Sequence, residues 1–284
     1  QFVTGRKIEE RLFRETQRDV SLRINRVDNK EEWIVSGRGE LHLSILIENL
    51  RREGFEFQVS RPRVILKEID GVINEPYEYV QVDVPDEYIG SAIEMFGNRR
   101  GNLEGMNSKD GQTRLIYTIP SKGLIGFMTD FLTATHGYGI INHTFLEYRP
   151  VQPDVFMGRK LGVLVSINQG MATTYACGGV EDRGELLIEP GIMVYEGMIV
   201  GICNREEDLA VNITREKQMT NQRSATKDST IVLKKPRVFS LENYLSFIDE
   251  DELVEVTPNS IRLRKMILDT VERKKYDSTK LKKH

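Results

Sequence analysis

The pattern that most constrains this chain lies between residues 75 and 150, where strand and helix periodicities alternate in one fixed order. Residues 78–84 alternate as a strand does. Asp86 is placed to cap a helix whose apolar positions, Ile89, Ala92, Ile93 and Phe96, recur at helical spacing, and Gly97 and Gly101 close it. A short strand at 103–107, a Lys109-Asp110-Gly111 turn and a strand at 113–119 follow. Ser121 reads as the cap of a second helix that buries Leu124, Ile125, Phe127, Met128, Phe131 and Leu132. Gly137 and Gly139 stop that helix ahead of a last strand at 140–148. The order β-α-β-β-α-β is the split βαβ, or ferredoxin-like, unit.

The preceding segment repeats most of that order. A helix is expected over residues 7–17, strands over 21–27 and 33–36 joined by the polar turn Asp28-Asn29-Lys30, and a strand over 55–59. Between them a helix over 40–52 carries Leu43, Leu46, Ile47 and Leu50 on one face, with Gly54 at its end. The opening strand is absent or reduced to Phe2-Val3. A sheet edge left open in this way is a liability, so the chain is expected to begin inside a longer protein. After about residue 154 the character changes. Strand-like runs at 160–167, 186–189, 198–203 and 209–213 are divided by glycine turns, which points to a compact β barrel or sandwich. A helix over 241–248 and strands at 253–256 and 261–263 follow, and the polar tail beyond Asp277 is expected to fray. The fold class expected is α+β: two ferredoxin-like split βαβ units at residues 1–68 and 69–150, then a β-rich, barrel-like domain at 151–284.

Composition narrows the function classes. Apolar residues at 39% and charged residues at 29% support ordinary globular cores. The formal charge of -3 argues against a uniformly basic nucleic-acid binder but leaves room for local basic surfaces. Cys177 and Cys203 form no CxxC pair; two cysteines are too few for a disulfide framework or a thiolate metal site and suit a reducing compartment. No run approaches the roughly 18 to 20 apolar residues of a membrane span, and residues 1–14 lack the core of a signal peptide. A soluble, cytoplasmic, monomeric chain with no membrane partner is expected.

A search for catalytic parts mostly fails. There is no GxxxxGK[ST] phosphate loop, and no Gly-Lys dipeptide at all. Asn29-Lys30 suggests a guanine-reading motif, but Glu32 stands where the aspartate is wanted, and the pair falls in an expected hairpin turn. No aspartate is followed three places later by glycine, so the usual switch motif is missing too. This chain alone is not expected to hydrolyse GTP. His42, His136, His143 and His284 have no metal-ligand spacing. His42 is expected on the solvated side of its helix, and His136 just past a helix end, where a cation suits the dipole. Cys177 is expected as a small buried residue in a β segment, since nothing nearby acts as its base. A stand-alone enzyme using Cys177 or His136 is the alternative of a different class.

Basic clusters are the stronger signal. Between residues 212 and 237 the cations Arg215, Lys217, Arg223, Lys227, Lys234, Lys235 and Arg237 face only Glu216 and Asp228, in a stretch rich in Asn, Gln, Ser and Thr. Residues 220–228 have almost no apolar content and read as a long loop, which inside a compact domain usually has a function. Arg and Lys beside amides and hydroxyls are the groups that hold phosphate oxygens and sugars. A second cluster runs from residue 259 to the end, where Arg262 and Arg264 share one strand face and the acidic run 249–252 stands ready to pair with part of it. Smaller candidates are Asn98-Arg99-Arg100-Gly101 and Ser121-Lys122-Gly123, the latter at an expected helix start where a phosphate could sit.

Ser36-Gly37-Arg38-Gly39-Glu40-Leu41-His42-Leu43 resembles the signature of domain III in elongation-factor-G-like translational GTPases. Arg99-Arg100-Gly101 and the run from Ile119-Pro120-Ser121-Lys122-Gly123 through Leu124-Ile125-Gly126-Phe127 resemble their domain V. The short connection between the two parts is similar to that of the LepA and BipA/TypA families. Asn168-Gln169-Gly170, Glu181-Asp182-Arg183-Gly184, Val194-Tyr195-Glu196-Gly197, Asn212, Leu253-Val254-Glu255-Val256-Thr257-Pro258 and Ser260-Ile261-Arg262 resemble the C-terminal domain peculiar to BipA/TypA. A LepA-type back-translocating factor is therefore the weaker family alternative. The resemblance covers essentially the whole chain. It implies a GTPase domain and a β barrel upstream, with GTP and Mg bound there and no cofactor in this chain. It further implies ribosome binding near the factor site, GTP hydrolysis there, and links to stress, low-temperature growth, virulence and large-subunit assembly. The family's long C-terminal loop, carried over to about residues 204–230, would face the acceptor end of the A-site tRNA. The RNA- and tRNA-binding set implied is Arg205, Arg215, Lys217, Arg223, Lys227, Lys234, Lys235 and Arg237. Ribosome contacts would come from Arg99, Arg100, Lys122, His136, Arg262 and Arg264.

Overall fold

The computed structural model describes residues 4–152, 159–217 and 232–281. The chain divides into two compact units, one of residues 1–61 with 159–284 and the other of residues 62–158.

The first segment follows the expected order. Helix α1 (Gly5–Arg18) precedes a hairpin of β1 (Arg23–Arg26) and β2 (Trp33–Ser36), whose turn holds Asn29 at φ 59. Helix α2 (Glu40–Arg52) and strand β3 (Phe57–Ser60) follow. Leu12 of α1 and Leu46 and Leu50 of α2 close over Leu22, with Ile24, Trp33 and Val35 from the hairpin packed against them. This is the burial that the 3.6 and 2.0 periodicities foretell. His42 departs from its expected solvated role. Its Nε2 lies 2.8 Å from Asp19, and its Nδ1 accepts the Arg38 backbone N–H at 3.2 Å. It therefore locks the Gly37-Arg38-Gly39 turn to the end of α1.

The second unit is the ferredoxin-like arrangement. Strand β4 (Lys67–Ile69) turns through Asp70 and Gly71 into the long β5 (Val72–Pro85). Then come α3 (Ile89–Asn98), β6 (Asn102–Lys109), β7 (Gln112–Pro120), α4 (Phe127–Ala134) and β8 (Ile140–Pro150). The antiparallel sheet runs β6-β7-β5-β8, with β4 on the start of β5. Val80, Val82, Val84, Leu115, Tyr117 and Ile119 meet Ala92, Phe96, Phe127 and Phe131 from the two helices. Ser121 caps no helix: it opens a 3-10 turn (Ser121–Leu124), and α4 begins only after Gly126, at φ 69. Arg99 holds that detour by donating to the Ile125 carbonyl at 3.1 Å.

The remaining residues return to the first unit. They form β9 (Val163–Ser166), β10 (Gly170–Met171), α5 (Thr174–Glu181), β11 (Gly184–Leu186), β12 (Met193–Val194), β13 (Met198–Cys203) and β14 (Leu209–Val211). After these come α6 (Leu241–Phe247), β15 (Glu252–Val256), β16 (Ile261–Lys265) and α7 (Thr270–Leu281). The barrel-like expectation resolves into an open mixed sheet, β14-β9-β13-β16-β15-β3, with β11 added on β13 and β14 parallel to β9. It does not close among the described residues, because β14 ends one side and β3 of the first segment takes the other. The two segments also share a core: Ile47 of α2 packs with Leu241 and Leu245 of α6 under Val254, Val256 and Leu263. Arg51 donates to the Pro258 carbonyl at 2.8 Å, and Ser44 to Glu242 at 3.1 Å. Asp277, expected to start a frayed tail, lies inside α7.

Candidate nucleic-acid interface

The described ends of the basic stretch, residues 212–217 and 232–237, are each anchored to the fold, and one short helix holds both. Thr173 is the N-cap of α5, its hydroxyl accepting from Ala176 N–H at 3.1 Å. The same residue grips the outgoing foot: its N–H donates to the Ile213 carbonyl at 3.1 Å and its hydroxyl to the Arg215 carbonyl. At the far end of α5, Glu181 accepts the Lys234 N–H at 2.7 Å and so fixes the incoming foot. Eight helical residues separate the feet by roughly 12 Å at 1.5 Å per residue. Asn212 shapes the outgoing turn by accepting from Thr214 N–H and hydroxyl, both at 3.1 Å. Beside that turn lies a shallow groove of ≈ 630 Å³ lined by residues 169–174, Pro190, Gly191, Thr214 and Glu216. Gly170 lies close to that turn, where a Cβ would stand 3.3 Å from the Thr214 side chain.

Of the cations expected to bind RNA, Arg215 and Lys217 are exposed on the outgoing foot and Lys234, Lys235 and Arg237 on the incoming one. Arg237 donates its backbone N–H to the Leu186 carbonyl at 3.0 Å, and its guanidinium lies 5.3 Å over the Phe239 ring. Arg205 is exposed on a separate turn after β13, where its carbonyl accepts from Gly162 N–H. Arg223 and Lys227 lie outside the described residues. Arg262 and Arg264 share the outward face of β16, as their alternation requires. Arg262 stands across from Glu255, which accepts the Tyr195 hydroxyl at 2.8 Å. Burial, reinforced by that carboxylate, pushes the Tyr195 hydroxyl well above its ordinary value.

In the second unit Arg99, Arg100 and Lys122 each have a partner within the unit. Besides its carbonyl bond, Arg99 lies 3.6 Å from Asp130. Arg100 adopts φ 62 and donates to Gln152 at 3.1 Å. Lys122 pairs at 2.7 Å with the buried Glu75. His136 is exposed just past α4, at φ 48, with its ring 5.8 Å from that of Tyr88.

His143, read from the sequence only as lacking metal-ligand spacing, has a carboxylate partner in the fold. His143 Nδ1 on β8 bonds Glu78 on β5, and Glu78 also accepts from Ser121. Burial alone would push the Glu78 carboxyl up, but the bonds from His143 and Ser121 hold it below the usual carboxylate range. The carboxylate in turn raises the His143 imidazole. A raised histidine contributes stability that is complete below its unfolded value and lost as pH rises through the folded one. Glu78→Gln should therefore bring the His143 titration, followed by imidazole NMR shifts, down toward 6.5. An unchanged midpoint would show that Glu78 does not set it.

Two further residues stand elsewhere than the sequence implied. Cys177 is buried in helix α5, not in a strand: Gly178-Gly179 masked a helix that Thr173 caps and core packing secures. Burial pushes its thiol up, away from thiolate nucleophilicity. Lys265, counted with the terminal basic cluster, is buried among acids. Its Nζ lies 2.8 Å from Glu252, 2.9 Å from Asp251, and within ion-pair reach of Asp208. Arg159 completes the cluster, at 2.9 Å from Glu252 and 3.8 Å from Asp249, with Arg61 bonded to Asp249 at 3.2 Å. Burial would raise Glu252, but the bonds and charges of Arg159 and Lys265 hold it at about 2. Asp251 and Glu252 of the acidic run thus pair with Lys265 of the basic segment, as expected, while Asp249 pairs with Arg61 and Arg159 outside it.

Comparisons with known proteins divide the chain in the same terms. Residues 4–61 match the family model for Elongation Factor G, domain III, residues 72–158 that for the Elongation factor G C-terminus, and residues 161–270 that for the TypA/BipA C-terminal domain. The Large ribosomal subunit assembly factor BipA of Bacillus subtilis is 58% identical over 275 residues, covering 96% of this chain and 45% of the relative. Proteins of the same name from Synechocystis and Haemophilus influenzae are 50% and 49% identical, over 93% and 98% of this chain and 44% and 45% of their own lengths. The chain thus spans a little under half of the relatives it matches. With three matched modules in this order and identity at that level, the chain belongs to the TypA/BipA family.

Proposed function

We propose that this chain is the ribosome- and tRNA-contacting part of a TypA/BipA factor that acts in large-subunit assembly and in translation under stress. In this reading GTP and Mg are bound and GTP is hydrolysed by a domain outside these residues. The chain itself is a cytoplasmic, monomeric binding part of three sequence modules meeting near residues 68 and 150, the first and third of which fold into one compact unit. The observation that carries it is the basic stretch whose two feet are held by Thr173 and Glu181 at opposite ends of α5. The backbones of Arg215 and Lys234 are tied to α5, and the cations of the stretch, Arg223 and Lys227 among them, are the groups proposed to contact the acceptor end of an A-site tRNA. Ribosomal RNA and protein near the factor-binding site take the remaining contacts.

Co-sedimentation with ribosomes across a salt series tests this. Wild-type binding should weaken steeply with salt, because each phosphate contact releases counterions. Replacing Arg215, Lys217, Arg223 and Lys227 with Ala should lower affinity at least tenfold and flatten the log–log salt slope by about 3, at roughly 0.7 to 0.9 per contact. Unchanged affinity and slope would reassign the stretch as solvated surface.

A further inference from the structure

Among the described residues, the hydrogen bonds from helix α7 to the rest of the unit lie at its root. Thr270 donates its N–H and hydroxyl to Glu196 at 2.8 and 2.7 Å, and Leu268 packs beside Gly197, where a Cβ would come within 2.7 Å of it. Arg273 turns back toward the sheet, donating to the Ile267 carbonyl at 3.0 Å, to the Leu268 carbonyl, and to the Thr270 hydroxyl at 3.0 Å. Arg264 supports the same connection through the carbonyls of Lys265 and Met266, at 3.1 and 3.4 Å. Past Arg273 every described side chain of the helix is exposed, including Lys274, Lys275 and Tyr276.

A helix of about 12 residues is marginal in water on its own, and one without a buried apolar face gains nothing from packing. What this one presents is charge: Lys274 and Lys275 adjoin on its exposed turn, and Lys280, Lys282 and Lys283 follow in sequence, against Glu272 and Asp277. Such a surface complements a polyanion, not a hydrophobic groove. We propose that α7 is a second RNA-docking element, in which Lys274 and Lys275 hold backbone phosphates of ribosomal RNA and Arg273 positions the helix that presents them. The inference rests on the ribosome-docking reading, but it uses helix α7 where that reading uses the long basic stretch.

The test compares the chain with Lys274→Glu and Lys275→Glu together against wild type, on ribosomes and on protein-free ribosomal RNA, across a salt series. The double variant should bind both at least tenfold more weakly, with the log–log slope reduced by about 1.8 for two duplex contacts. The pair Lys274→Arg and Lys275→Arg should bind as wild type does, and thermal unfolding should be the same for all three chains. If wild type binds and the glutamate variant keeps its affinity and slope, the α7 proposal fails while the ribosome reading stands. Weakening on ribosomes but not on protein-free RNA would assign α7 to a ribosomal protein and overturn it as well. A wild-type chain that binds neither at low salt would remove the ribosome reading, and this inference with it.

Discussion

Lys265→Met should destabilise the first unit by about 3–5 kcal/mol, read as a fall in the urea midpoint at constant slope. Glu252 is fully enclosed, and among the described residues the substitution leaves its charge with Arg159 as cationic partner, while Asp208 and Asp251 lose Lys265. Breaking one side of a buried ion network strands the other side, which costs far more than the intact network contributes. The pH dependence follows from the same cluster. Glu252 is depressed to about 2 from an unfolded value of 4.5, so its contribution is complete above pH 4.5 and lost as pH falls toward 2. That acid limb amounts to about 3 kcal/mol, since each pH unit between the two values contributes about 1.4 kcal/mol. Lys265→Met should shorten it, because Glu252 then titrates nearer its ordinary value. A variant as stable as wild type at pH 7 would mean that the cluster is hydrated and weakly coupled.

Gly184→Ala should be nearly as damaging, at about 3 kcal/mol or more, and here the cause is backbone collision. A Cβ at this position would stand 1.9 Å from the Ile202 carbonyl oxygen, and no side chain can move aside to relieve it. Strands β11 and β13 would have to part where Gly184 faces Cys203. Circular dichroism melts should show the drop, and ribosome affinity should fall with it, since Glu181, three residues earlier, fixes a foot of the basic stretch. A melting temperature within error of wild type would show that the sheet yields easily there. The Glu181-Asp182-Arg183-Gly184 motif thus joins a clamp for the basic stretch to a close strand approach.

How much of this was legible depended on whether a residue's partner lay nearby in sequence. The bounds of α2, β2 and β13 follow from local periodicity and were readable to the residue. Helix α5 was hidden because Gly178-Gly179 lower its intrinsic propensity, and its stability comes from Thr173 and from core packing. Helix α7 was hidden because it has no apolar stripe. The burial of Lys265 did leave a trace: it continues the inward row of Ile261 and Leu263, directly across from Glu252 in the row of Val254 and Val256. An inward lysine opposite an inward glutamate is a buried pair, and the alternation that placed Arg262 and Arg264 outward already implied it. The candidate site was legible as composition, while its anchoring was not, since Thr173 and Glu181 reach it only through tertiary contacts.

The pairing of β3 with β15 has a consequence for how the chain is made. Val59 meets Val254 and Phe57 meets Val256, so the edge of the first segment finds its neighbour only after roughly 200 further residues have been synthesised. At a translation rate of about 5–20 residues per second that is a delay on the order of 10–40 s, with the intervening unit able to form in the meantime. The nascent first segment must wait with an unsatisfied strand edge, which makes this unit one of high contact order, slow to complete and dependent on whatever shelters β3 as it leaves the exit tunnel.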